Sequence, residues 1–151
     1  MPRGVLELLT EAQRMKTILV GTDFTPGSDG ALTTAASLVG PAGTVHLLHV
    51  LEPVDDPDSD DPETRSFYQQ LEEKSRQKLA DQLARAGVEK VENSVRIGIR
   101  HVTILEVAEE LQADLIILGS RPINPDSTLL SVSHRAALTS TRPILLIPGE
   151  R

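Results

Sequence analysis

The chain contains no cysteine and no tryptophan, and among its 151 residues there are only one tyrosine and two phenylalanines. Without cysteine there is no disulfide framework, thiol nucleophile or thiolate metal site, which fits a reducing, cytoplasmic setting. So few aromatics leave no platform on which bases could stack. Positive charge is also scarce. Fifteen basic residues stand against 22 acidic ones, a net charge of −7, so no electrostatic footprint for nucleic acid exists. No run approaches the ~20 apolar residues of a membrane span. Val5, Leu6, Leu8 and Leu9 are interrupted by Glu7 and Glu11, too short and broken a stretch for a signal peptide. Neither nucleic acid nor a membrane is therefore expected as a partner.

What is present reads as one domain of alternating strands and helices, long enough to bury a core. Thr17-Ile18-Leu19-Val20, closed by Gly21, is a continuous apolar run typical of a strand covered on both faces. Ser28 or Asp29 is placed to cap a helix carrying Ala31, Leu32, Ala35, Ala36 and Val39, which Gly40-Pro41 stops. Thr44 to Leu51 is a second strand. An acidic loop follows, and Pro62 opens a long helix with Phe67, Leu71, Leu79 and Leu83 on one face, ended by Gly87. Val91 to Ile97 is a more polar strand suited to an edge. Thr103-Ile104-Leu105-Glu106 fits a capping box, and Asp114 to Leu118 and Pro143 to Ile147 are strands separated by a helix. Five strands alternating with helices imply right-handed crossovers and a doubly wound parallel α/β sheet. Residues 1–16 are an extension, either an extra helix or a frayed segment, ahead of a domain over 17–151.

In such a sheet ligands collect where the strand order reverses, outside the carboxyl ends of the strands. Two loops meet there: Gly21 to Ser28 after the first strand, and Gly119 to Ser127 after the fourth. Asp23 can accept from a ligand hydroxyl or amine, or equally hold its own turn. Other candidates are weaker. His46 and His49 lie three apart on a strand and face opposite sides, so they make poor co-ligands for one metal. In Asp56-Pro57-Asp58-Ser59-Asp60 a calcium loop would need a glycine and a closing glutamate where Asp61 and Phe67 stand. His134 and Arg135 have no nucleophile at identifiable spacing, and there is no G-x-S-x-G elbow. A phosphorylated receiver domain would need an aspartate and a lysine where Gly98 and Pro148 occur. No catalytic residue is assigned.

The blocks Thr17-Ile18-Leu19-Val20-Gly21-Thr22-Asp23, Leu47-Leu48-His49-Val50, Val95-Arg96-Ile97-Gly98, Ala113 to Ser120 and Arg142 to Pro148 together resemble the universal stress protein family, in the family's order. The resemblance implies a sheet of order 3-2-1-4-5 and a homodimer paired through the last strand, an apolar edge that wants a partner. It also implies ATP as a cofactor, held by a G-x2-G-x9-G-[S/T] loop, an aspartate and an aliphatic residue. Gly119, Asp23 and Val50 match the first glycine, the acid and the aliphatic position, and Ser131 matches the final hydroxyl. The rest of the loop departs. Pro122 and Leu130 replace the second and third glycines, and the stretch from Gly119 to Leu130 is two residues short of the motif. Glycines let main-chain amides approach phosphate, whereas Pro122 and Pro125 each lack an N–H and fix φ. Arg121, Ser127, Thr128 and Ser131 remain as donors for a smaller anion. The expectation is thus a non-enzymatic stress-response dimer with a degenerate nucleotide loop, working through an unidentified protein partner. The alternative is an ATP-binding switch.

Overall fold

The computed structural model describes residues 15–54, 56–88, 91–120 and 131–148. The strands are β1 (Met15–Gly21), β2 (Val39–Leu51), β3 (Val91–Ile97), β4 (Leu115–Ser120) and β5 (Ile144–Pro148). The helices are α1 (Pro26–Leu38), α2 (Pro62–Ala86), α3 (Arg100–Leu111) and α4 (Val132–Thr139). All strand pairs are parallel, as the alternation of strands and helices predicts, and the order is β3-β2-β1-β4-β5, as the resemblance implies. Among the described residues no helix is long and apolar enough to cross a membrane.

The continuous apolar strands supply two cores because successive side chains point to opposite faces. On one face Ile18, Val20, Val45, Leu47, Leu115 and Ile117 pack with Ala31, Leu32 and Ala35 of α1 and Leu79 of α2. On the other, Leu19, Leu48, Val50, Ile116 and Leu118 pack with Ile104, Val107 and Ala108 of α3 and Ala136 of α4. β1 and β4 therefore bury both faces, the arrangement that an unbroken apolar run requires. Asp114 fastens their lower ends, its Oδ2 accepting from the amides of Lys16 (2.9 Å) and Thr17 (3.0 Å).

Several local expectations are corrected. α1 begins earlier than Ser28 or Asp29: Thr25 is its N-cap and Pro26 its first residue. The Ser28 hydroxyl instead donates to the Thr25 carbonyl (2.8 Å). β2 starts at Val39, so Gly40-Pro41 lies inside the strand, in a stretch whose pairing with β1 is irregular. α2 buries Tyr68, Ser75, Leu79 and Gln82, while Phe67 is 44% exposed. α3 begins at Arg100, and Thr103 is buried within its first turn rather than capping it. Gly87 ends α2 in the left-handed conformation, φ 62°, as predicted. β3 and β5 are the sheet edges.

Candidate functional site

Five chain segments converge at the carboxyl ends of β1, β2 and β4, where the strand order reverses. They enclose a cavity of about 340 Å³. Gly21, Thr22 and Asp23 come from the end of β1, and Leu48, His49 and Val50 from the end of β2. Arg100 and Ile104 of α3, Leu118 and Gly119 of β4, and Ser131, Val132 and Ser133 at the start of α4 complete the wall. A mixed lining of this size suits a small organic ligand better than a bare ion.

The β1 loop is held by a buried polar network. The Thr22 hydroxyl donates to Gln82 Oε1 (2.8 Å), and the Gln82 amide donates to Asp29 Oδ1 (2.7 Å) and Ser28 Oγ (3.3 Å). Gln82 is fully buried, so α2 clamps this loop from behind. Thr22 Oγ1 also accepts from the Phe24 amide (3.0 Å), which holds Phe24 at a positive φ of 65°. The Phe24 ring then lies 4.4 Å from that of His49. His49 Nδ1 is 2.8 Å from the Thr22 carbonyl, and because a carbonyl only accepts, this nitrogen carries the proton. Burial holds the His49 pKa below its ordinary 6.5. His46 behaves alike, lowered by burial, with Nε2 2.9 Å from Ser94 Oγ and Nδ1 3.6 Å from Glu92.

Asp23, Val50, Gly119 and Ser131, matched to the nucleotide motif in the sequence, all line this crevice. Ser127 lies outside the described residues, as do Arg121, Pro122, Pro125, Thr128 and Leu130. The polar members are committed locally. Asp23 Oδ1 accepts from the Thr25 amide (3.1 Å) and from the Thr25 hydroxyl. Ser131 caps α4: its Oγ accepts from the His134 amide, meets His134 Nδ1 and lies 3.0 Å from Ser133 Oγ. Gly119 has a packing reason to be glycine, since a Cβ would stand 2.8 Å from the carbonyl carbon of Gly27 and 3.0 Å from the Ser28 amide nitrogen.

Sequence reasoning missed Arg100, Ile104 and Ser133. No motif residue falls on the loop after β3, although every strand's carboxyl end in an open sheet is eligible for a site. Neither acidic cluster nor paired histidines form a metal site among the described residues.

Residues 15–148 match the universal stress protein family. The chain is 28% identical over 132 residues to universal stress protein G of Salmonella typhimurium, covering 80% of this chain and 88% of that protein. Among solved structures, hypothetical protein MJ0577 superimposes with a TM-score of 0.76 at 27% identity, covering 91% of this chain and 98% of that one. A universal stress protein in complex with cAMP shares the fold, with a TM-score of 0.58 at 22% identity and coverage of 88% and 96%.

Proposed function

This chain belongs to the universal stress protein family, and we propose that it works there as a non-enzymatic, cytoplasmic stress-response homodimer acting through contacts with a protein partner. Its crevice is not an ATP seat. The observation that carries this reading is the local commitment of both polar side chains retained from the motif: Asp23 holds the turn to Thr25, and Ser131 holds the start of α4. A triphosphate needs a ring of approaching main-chain amides, and the prolines at 122 and 125 remove two of them.

The test is thermal unfolding of the full chain with ATP and magnesium. A ligand that binds the native state raises the melting temperature, so no shift is expected at roughly micromolar ATP, where a tight site would already be filled. A reproducible, saturable rise in that range would overturn the reading in favour of an ATP-binding switch.

A second reading is supported by the crevice itself. Its apolar walls, Val50, Leu118 and Ile104, remain in place around a cavity of about 340 Å³, enough for the base and sugar of a mononucleotide. Such a ligand does not depend on a phosphate-wrapping loop. The similar protein in complex with cAMP makes a mononucleotide the natural first probe.

A further inference from the structure

We propose that Arg100 contacts the ligand and sets base specificity, so that the β2 and β3 end of the crevice takes the guanine of a mononucleotide in preference to adenine. This rests on the mononucleotide reading of the same crevice.

Arg100 is placed by the ladder. Val50 pairs with Arg96, Leu51 pairs with Ile97, and the Gly98 amide still donates to the Leu51 carbonyl (2.9 Å). Two residues later α3 begins, so Arg100 stands beside the end of β2, at the wall that Val50 forms. Gly119 and Ser131 line the other side, beyond β1. Arg100 is the sole cation among the described lining residues, and it enters no ion pair among the described residues. Other arginines of this chain are engaged: Arg142 grips Glu109 and Arg96 grips Glu110. The Arg100 amide lies 3.4 Å from Glu52 Oε1, which brings a carboxylate to the same end.

A donor-only fork at this wall matches one base edge better than the other. Guanine offers O6 and N7 as adjacent acceptors for the guanidinium. Adenine carries an amino donor where guanine has O6, and that group meets the guanidinium N–H donor to donor. The ring faces in either case have Val50, Leu118 and Ile104 to lie against.

The experiment is calorimetric titration of the full chain with GMP, IMP and AMP, repeated with Arg100→Gln, whose exposed site leaves folding intact and whose circular dichroism is checked. GMP should bind about tenfold or more tightly than AMP, and IMP, which keeps O6 and N7, should stay ahead of AMP. Arg100→Gln should bring the GMP to AMP ratio close to one. Equal affinities, a preference for AMP, or a GMP preference that survives Arg100→Gln would each overturn the assignment. If no mononucleotide binds, the inference and the mononucleotide reading fall together, while the partner-contact reading stands. ATP binding at micromolar concentration would sink the non-ATP reading, and the GMP to AMP ratio would still judge Arg100.

Discussion

At the residue scale the crevice depends on close approach and on buried polar pairing. Gly119 lets the end of β4 touch the first turn of α1, and a methyl group there meets backbone, which cannot rotate away. Gly119→Ala should therefore cost about 1–3 kcal/mol in denaturant unfolding, with no ligand present. Gly21→Ala is the contrast. Its nearest obstacle is the Leu118 side chain at 2.5 Å, which can change rotamer, so a smaller loss is expected. Equal losses would show that the approach of β4 to α1 is not the constraint. Gln82 is the second case. Gln82→Leu removes the acceptor for the Thr22 hydroxyl and the donor to Asp29 inside the protein. About 2 kcal/mol should be lost, seen as a melting point lower by roughly 4–8 °C. A melting point unchanged within error would mean that water replaces the amide at no cost.

At the scale of elements, helix ends show where local signals rule and where they yield. α2 is bounded as its sequence dictates: Asp61 Oδ2 accepts from the Thr64 amide (3.0 Å), and Gly87 closes the helix in the left-handed region with open space around its Cβ position. Asp61→Ala and Gly87→Ala should each cost about 1 kcal/mol, through the cap and the backbone respectively. These sites are far apart, so the double variant should show the sum, and chemical denaturation of all three proteins checks it. α3 behaves differently. Thr103-Ile104-Leu105-Glu106 has capping-box spacing, yet the helix opens three residues earlier because Gly98 is still bonded to β2 and the chain must turn at once. Thr103 then packs against Gly98, where a Cβ would lie 2.4 Å from Thr103 Oγ1.

At the scale of the molecule, the buried His49 and the partly buried His46 couple stability to pH. His46 and His49 both titrate below 6.5 in the folded chain because burial disfavours the cation. Below about pH 6.5 the unfolded chain therefore binds more protons, and the contribution of both sites to stability is lost as pH falls. A double variant, His46→Gln with His49→Gln, should lack this dependence. Its melting point should gain on the native protein between about pH 7.5 and 5.5, and parallel profiles would refute the linkage. Assembly is the other property at this scale. The proposed dimer uses the free edge of β5. Pro143 turns its carbonyl to Ile116, so alternation along the strand turns the Leu146 amide outward. Leu146→Pro deletes that donor without touching the ladder to β4, and sedimentation should move toward monomer. A dimer of undiminished affinity would place the interface elsewhere.

The sequence by itself determined a doubly wound parallel sheet with central strands, because unbroken apolar runs such as Ile116-Ile117-Leu118 are stable only when covered on both faces, while the strand order followed from the family resemblance. The position of Asp23 and Gly119 at strand carboxyl ends, together with the family motif matched by Val50 and Ser131, also located all four at one crevice. Only the tertiary structure decided what those residues do there. Between the two roles open to Asp23 the folded turn selects Thr25, Ser131 caps α4 through the His134 amide, and Arg100 reaches the crevice only because β3 pairs with β2 and brings the start of α3 beside it. Periodicity records which face a residue takes, and it carries no information on which partner meets it across the fold.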